Sequence, residues 1–138
     1  MTIERATRQR AAIGEVLLRA RRPLLPEEIL EAARALVPGI GLATVYRNLK
    51  LLTDSGQICA VRLPGENSRY EPADQGHHHH FQCRACARVF DVQACPGDLS
   101  GLAPEGFTVE DHELVLYGTC GDCGRSGPAR RGRRLRRS

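Results

Sequence analysis

The chain is poor in aromatic residues: only 4% of its 138 residues are Phe, Tyr or Trp, and there is no tryptophan. A core built on large rings is therefore not expected, and the length suits one ordinary domain or two small ones. No apolar run approaches the roughly 20 residues that span a membrane, and no secretion signal opens the sequence. We therefore expect a soluble, cytoplasmic protein with no membrane partner.

Charge is distributed unevenly along the chain. Residues 1–56 carry a net charge of +3, residues 57–124 carry −6 and residues 125–138 carry +7, which together give the overall +4. A basic first half followed by an acidic half rich in His and Cys suggests a nucleic-acid-binding unit followed by a metal-binding unit. The arginine-rich segment 125–138 is predicted to be a disordered tail, which either attracts DNA phosphates nonspecifically or is simply solvated.

The first half has the pattern of three helices. Apolar residues recur at helical spacing over 7–20, with Thr7 as the predicted N-cap. A second helix is expected over 26–37, because a proline suits its first position and a Pro-Gly pair follows its end. A third helix is expected over 42–55, closed by a glycine. Two helices, a short turn and a further helix are typical of a helix-turn-helix.

The third helix is the expected recognition helix. Its apolar stripe faces the core, and a β-hairpin predicted over 57–71 adds a wing, with Arg62 and Arg69 near it. The alternative is a three-helix core unit with no role in DNA binding. The candidate DNA-contacting side chains opposite the apolar stripe are Thr44, Tyr46, Arg47 and Lys50.

Four cysteines form two Cys-x-x-Cys pairs, Cys83/Cys86 and Cys120/Cys123. Each pair has the spacing with which a tight turn grips one tetrahedral Zn²⁺, so the quartet predicts a structural zinc site. Two disulfides are the alternative, which a reducing cytosol would disfavour. The segment around and between the pairs is predicted to form a small α/β unit whose exposed strand edge can pair with a second copy.

Four consecutive histidines, His77 to His80, precede the first cysteine pair. In an extended chain alternate side chains point to opposite faces, so His78 and His80 share one side and His77 and His79 the other. Each pair can serve its own metal site; a solvated loop that binds metal only adventitiously is the alternative. Candidate residues to complete the two sites are Glu71 and Asp91 for one, and Asp98 and His112 for the other.

Several stretches of the chain together resemble the ferric uptake regulator (Fur) family of bacterial metal-dependent repressors. The resemblance covers about residues 5–124. The stretches are Thr7-Arg8-Gln9-Arg10, Gly41-Leu-Ala-Thr-Val-Tyr-Arg47, Ser68-Arg-Tyr-Glu71, His77–His80 with Cys83-x-x-Cys86, His112, and Leu116-Tyr-Gly-Thr-Cys120-x-x-Cys123.

The resemblance implies an α+β homodimer with an N-terminal winged helix-turn-helix, residues 1–72, and a small α/β dimerisation domain, residues 73–124. The family's structural zinc falls on Cys83, Cys86, Cys120 and Cys123. Its regulatory metal site falls on Glu71, His78, His80 and Asp91. A further metal site falls on His77, His79, Asp98 and His112. Its DNA-contacting positions match Arg10, Tyr46 and Arg47.

The sequence departs from the family pattern at positions whose ligands determine which metal a member senses. Pro23 stands where many members have a regulatory histidine, which argues against an iron or peroxide sensor. Cys59, on the first predicted wing strand, lies where zinc sensors can carry a ligand. Cys59 and Cys95 remain open between a buried small side chain, a thiolate ligand and a redox sensor.

These observations predict a dimeric repressor that binds a palindromic double-stranded DNA operator when its regulatory metal is bound. Zn(II) is the first choice for that metal, with an Fe(II)- or Mn(II)-dependent or peroxide-responsive regulator as the alternative. From other classes, a zinc-dependent hydrolase would need a substrate pocket and a general base that the sequence does not supply. A thiol-disulfide oxidoreductase would need one reactive pair at a helix start. We expect neither enzymatic activity nor a small-molecule substrate.

Overall fold

The computed structural model of the chain describes residues 2–126. In chain order the elements are helices α1 (Thr2–Ala20), α2 (Pro26–Ala33) and α3 (Leu42–Asp54), strands β1 (Ile58–Val61), β2 (Arg69–Pro72), β3 (His79–Cys83) and β4 (Val89–Val92), a 3₁₀ turn (Ser100–Leu102), strand β5 (Val115–Gly118) and helix α4 (Gly121–Ser126). Within the described part of the chain, no helix is long and apolar enough to cross a membrane.

The three N-terminal helices enclose one apolar core. The fully buried side chains at its centre come from all three helices, with Ile13 and Leu17 on α1, Ile29 on α2, and Val45 and Leu49 on α3. The predicted stripe of the third helix is confirmed, since its apolar residues at spacings of three and four face inward.

The predicted start of the first helix and the predicted end of the second helix were both wrong. Helix α1 begins at Thr2, not at Thr7, because residues 2–6 contain no helix-breaking residue and Glu4 favours a first turn. Helix α2 ends at Ala33, and the chain continues in tighter turns. There the amide of Leu36 bonds the carbonyl of Ala33 at 2.9 Å, three residues back.

The predicted hairpin is present and is the wing of a winged helix. β1 and β2 pair antiparallel, with Cys59 opposite Glu71. Leu24 forms an isolated antiparallel β-bridge with Tyr70, in which the two residues exchange backbone hydrogen bonds of 3.0 and 2.8 Å. This bridge holds the wing against the helices.

The second sheet has the order β4-β3-β5, antiparallel between β3 and β4 and parallel between β3 and β5. Its edge strand β5 exposes Leu116 and Tyr117. A small apolar cluster joins this sheet to the wing, formed by Val61, Leu63 and Val89. Helix α4 extends the structure past Cys123 to Ser126, so the first two residues of the predicted disordered tail are helical; the rest of that segment lies outside the described residues.

Candidate metal centres

The four cysteines of the two pairs form one cluster in which all four sulfurs lie within 4.8 Å of one another. The Sγ atoms of Cys86 and Cys120 are 3.9 Å apart. A tetrahedral zinc with Zn–S bonds of about 2.3 Å places its sulfurs about 3.8 Å apart. All the cysteines are free thiols, so the disulfide alternative is not supported. The donor set and its spacing fit the structural Zn(II).

Backbone amides prepare this cluster for a cation. The amides of Cys120 and Cys86 donate to Cys83 Sγ at 3.3 and 3.4 Å. Burial raises the pKa of the Cys83 thiol, but these hydrogen bonds outweigh it and lower that pKa to about 6. In the same cluster, contact with the Cys120 thiol raises the pKa of Cys123 to about 12. Four thiolates therefore need a metal ion to be stable together.

A second cluster lies between the wing and the second sheet, and we call it the hinge site. Its members are Glu71 on β2, His78 just before β3, His80 on β3 and Asp91 on β4. Glu71 Oε2 lies 2.9 Å from His78 Nε2 and 3.3 Å from His80 Nε2. Asp91 Oδ1 lies 3.5 and 3.4 Å from the same two nitrogens. The four residues are those that the sequence grouped, and the wing contributes one of them, Glu71.

The hinge site fits a divalent cation. The side chain of Glu71 is 2% exposed, and its Oε1 atom finds no hydrogen-bond partner within residues 2–126. Such a buried carboxylate oxygen is costly unless a cation or a proton neutralises it. His78 Nδ1 donates to the Gly76 carbonyl at 2.9 Å, which turns Nε2 toward the carboxylates. Two imidazoles and two carboxylates suit Zn²⁺, Fe²⁺ or Mn²⁺.

The charges in the hinge site raise the affinity of its imidazoles for protons. Burial lowers the pKa of His80, but the adjacent carboxylates of Asp91 and Glu71 outweigh it and raise that pKa to about 9. The pKa of His78 is raised for similar reasons, against its burial. Burial opposes the shift at Asp91 as well, yet the nearby His80 imidazole holds the Asp91 pKa below its usual value. A metal ion at this site must therefore displace protons.

Cys59 lies beside the hinge site but outside its quartet. It faces Glu71 across the hairpin and lines the same cavity as His78 and His80. Burial, followed by the nearby charges of Glu71 and Asp91, raises the pKa of its thiol. Opposed residues of an antiparallel pair have Cβ atoms about 5 Å apart, so the thiol is near enough to approach a metal held by Glu71.

A third cluster gathers His77, His79, His112 and Cys95. Three of these were grouped from the sequence, but the fourth expected member, Asp98, is not in the cluster. Asp98 Oδ1 instead accepts hydrogen bonds from the Ser100 amide at 2.9 Å and the Ser100 hydroxyl at 2.6 Å, at the start of the 3₁₀ turn. The sequence left Cys95 open; the Cys-Pro-Gly turn that it begins was the available signal.

The DNA-contacting candidates are carried by two helices, α1 and α3. Tyr46, Arg47 and Lys50 are exposed on α3, and Thr44 is half-buried beside them. Arg47 donates to the Thr44 hydroxyl at 3.1 Å. Arg10 of α1 donates to the side chain of Asn48 at 3.3 Å, and the buried Asn48 amide in turn bonds the Thr44 carbonyl. Asn48 was missed from the sequence, because a polar residue on a buried stripe gives no pattern of its own.

Comparison with known proteins agrees with this geometry. The family model for the ferric uptake regulator family matches residues 3–117. The transcriptional regulator FurA of Mycobacterium tuberculosis is 32% identical over 129 residues, which cover 91% of this chain and 87% of that protein. The peroxide operon regulator of Bacillus subtilis is 32% identical over 123 residues, covering 86% and 83%. The Helicobacter pylori ferric uptake regulator Fur, solved with three functional metal binding sites, aligns at a TM-score of 0.68 and 26% identity, covering 86% of this chain and 81% of that one.

A winged helix joined through a metal-binding cluster to a sheet with a Cys₄ zinc site defines a metal-responsive transcription regulator. The chain belongs to the ferric uptake regulator family. Members of the family bind DNA operators and act as dimers. The chain is therefore a regulator and not an enzyme, which removes the hydrolase and oxidoreductase alternatives.

Proposed function

We propose that the protein is a cytoplasmic homodimeric repressor that binds a palindromic operator when the hinge site holds its metal. The observation that carries the proposal is the position of Glu71. This buried carboxylate belongs to the wing, whereas His78, His80 and Asp91 belong to the second sheet. A metal held by all four would therefore link residues 1–72, proposed as the DNA-binding domain, to residues 73–124, proposed as the dimerisation domain.

The proposed mechanism is a shift of population toward one domain arrangement. Occupancy of the hinge site favours conformations in which Glu71 lies close to His78 and His80, and it disfavours those in which the wing has swung away. In a dimer this fixes the distance between the two α3 helices. Binding to successive major-groove faces requires that distance to be about one helical turn of DNA, 34–36 Å.

The proposed DNA contacts follow from side-chain chemistry on α3. Tyr46, which is 48% exposed, offers an apolar ring for a thymine methyl. Arg47 and Lys50 offer charge for a phosphate or a guanine edge, and Thr44 a hydroxyl. Arg10 is proposed to reach the DNA backbone or the minor groove.

We propose Zn(II) as the sensed metal, with the control of zinc homeostasis as the cellular role. Pro23 supports this choice, because it replaces an imidazole ligand that iron and peroxide sensors of the family commonly use. Cys59 lies across the hairpin from Glu71 but outside the quartet of ligands.

The second candidate is an iron- or peroxide-responsive regulator. The hinge quartet contains only nitrogen and oxygen donors, which suit Fe(II) and Mn(II) as well as zinc. The relatives named above include a peroxide operon regulator.

The test is binding to the DNA upstream of its own gene, with structural zinc retained, under buffered free Zn²⁺, Fe²⁺ or Mn²⁺. Fluorescence anisotropy should show binding at trace Zn²⁺, and H80A should remain a folded dimer that no longer responds to metal. Binding that needs Fe²⁺ or Mn²⁺ and ignores trace Zn²⁺ would select the second candidate. A normal response in H80A would place the regulatory site elsewhere.

A further inference from the structure

We propose that Cys95 completes a zinc site with His77, His79 and His112, and that this site carries a thiolate ligand while the hinge quartet does not. The family resemblance implies a carboxylate at this place, on Asp98. The structure brings a sulfur there instead. The inference concerns a second metal site and does not rest on the proposed mechanism of DNA binding.

The distances around Cys95 match the edges of a zinc coordination sphere. Cys95 Sγ lies 3.3 Å from His112 Nε2 and 3.5 Å from His77 Nε2. A tetrahedral ion with Zn–S of about 2.3 Å and Zn–N of about 2.05 Å separates sulfur from nitrogen by about 3.6 Å. The buried His79 packs against both other rings, with centroid distances of 4.6 Å to His77 and 5.0 Å to His112. Three imidazoles and one thiol thus converge from three separate segments.

The backbone around Cys95 has a feature in common with the two zinc knuckles, which are the Cys-x-x-Cys turns 83–86 and 120–123. The amide of Gly97 donates to Cys95 Sγ at 3.4 Å. In the knuckles, the amides of Cys86 and Cys123 donate to the sulfurs of Cys83 and Cys120 at 3.4 and 3.5 Å. Such bonds stabilise a thiolate and turn its lone pairs toward a common point.

The turn after Cys95 also explains why Asp98 does not take the ligand position. Gly97 has a φ of +92°, a left-handed conformation that glycine adopts without strain. This reversal carries the chain into the 3₁₀ turn, where the Asp98 carboxylate bonds both the amide and the hydroxyl of Ser100. The Asp98 carboxylate is therefore held by Ser100 while Cys95 faces the imidazoles.

The two histidine-containing sites differ in donor chemistry, which gives them different metal preferences. A set of three imidazoles and one thiolate is soft and favours Zn²⁺ over Fe²⁺ or Mn²⁺. The hinge quartet, with its two carboxylates, is harder. We therefore infer that the Cys95 site retains zinc at concentrations that leave the hinge site free to respond to its own metal.

Cobalt substitution tests the inference, because a thiolate bound to Co(II) gives a near-ultraviolet charge-transfer band that nitrogen and oxygen ligands do not give. Co(II) is added to the full chain with zinc retained at the Cys₄ site. The wild type should develop the band. C95S should lose it and should bind zinc at least about tenfold more weakly at this site. D98N, C59S and H80A should all keep it.

Each other outcome overturns the inference. Loss of the band in C59S with retention in C95S would assign the thiolate to the hinge site. Loss in D98N would restore the carboxylate as a required ligand. If the wild type bound cobalt with no new band, no thiolate would be involved at either site. As a second readout, stoichiometric zinc should protect Cys95 from alkylation by iodoacetamide, measured by mass spectrometry of its peptide; equal labelling with and without zinc would contradict the proposal.

Discussion

The guanidinium of Arg69, on the second wing strand, donates a hydrogen bond of 2.9 Å to the carbonyl of Ala87, the residue directly after the first zinc knuckle. Arg69 is 2% exposed, and its other terminal nitrogen binds Glu66 at 2.8 Å. Ala87 has a left-handed φ of 68°, which directs the turn of the knuckle. The wing is therefore tied to the structural zinc site through one buried cation, two residues before the hinge ligand Glu71.

Replacing Arg69 should loosen this tie. We expect R69Q to lower the free energy of unfolding by about 1.5–3 kcal/mol, since it removes a charged donor from a buried carbonyl. Arg62, on the exposed face of the same hairpin, provides the matched control, and R62Q should change stability by less than about 0.5 kcal/mol. Urea denaturation of the zinc-loaded protein measures both, and equal stabilities would show that the Arg69–Ala87 bond contributes nothing.

Removal of one knuckle sulfur should unfold the C-terminal unit. In C83S the remaining thiols lose most of an apparent zinc-binding free energy of about 10 kcal/mol, which is also folding free energy. Far-UV circular dichroism should show lost structure and light scattering should show a monomer. A85S alters an exposed position in the same knuckle and should behave as wild type. A folded, dimeric C83S would contradict the structural-zinc assignment.

Metal binding at the hinge site should strengthen as pH rises from 6 to 8. The folded-state pKa of His80 is raised from 6.5 to about 9, so the metal-free site holds a proton over this range and the incoming ion must displace it. The affinity for Mn²⁺ should rise about tenfold per pH unit for each proton displaced. Titration calorimetry in buffers of different ionisation enthalpy counts these protons. An affinity independent of pH would show that His80 is already neutral.

The raised pKa of His80 also affects the folding stability of protein whose hinge site holds no metal. Here stability falls as pH rises, whereas the metal affinity increases. Protonated His80 interacts favourably with Glu71 and Asp91 only while it is charged. This contribution is fully present below pH 6.5 and is lost as pH rises through about 9. Thermal unfolding of protein with only its structural zinc should therefore show stability falling over this interval, and H80Q should show a smaller fall.

Arg47 should contribute to operator binding beyond its charge. R47A is expected to cost about 1–3 kcal/mol of operator affinity, because the residue lies on the exposed face of α3. R19A removes an arginine that is 72% exposed on α1, and its effect should be smaller. Anisotropy titrations at several salt concentrations separate the two effects. Equal losses of operator affinity in R47A and R19A would show that Arg47 contributes only nonspecific electrostatic attraction.

The sequence predicted the members of the metal-ligand clusters best where the spacing of the ligands follows directly from the repeat of a strand or a tight turn. The alternation of His77 to His80 predicted the grouping that the structure has, His78 with His80 and His77 with His79, and the Cys-x-x-Cys pairs predicted one cluster of four sulfurs. It failed where a turn decides the outcome. Cys95 and Asp98 are three residues apart, and the chain reverses at Gly97 between them, so that Cys95 and not Asp98 meets the histidines.

Arg69 shows a second limit of prediction from sequence. A basic residue on a wing strand suggests contact with DNA, yet this one is buried against the zinc knuckle. The alternation of side chains along a strand predicts which residues share a face of the sheet, but it does not predict which of the two faces the rest of the protein covers. The early start of α1 has a simpler cause. A residue that could serve as an N-cap, such as Thr7, does not mark the start of a helix when the residues before it also favour helix.

One short stretch, from His77 to Cys83, supplies ligands to all three clusters. Sliding this stretch by a single residue would exchange the imidazoles between the hinge site and the Cys95 site. Cys83, at the end of β3, is held by the knuckles and fixes the position of the whole stretch. We therefore expect a newly made chain to bind the Cys₄ ion before the other two metals, because the histidines take their positions from a strand that this ion holds at one end.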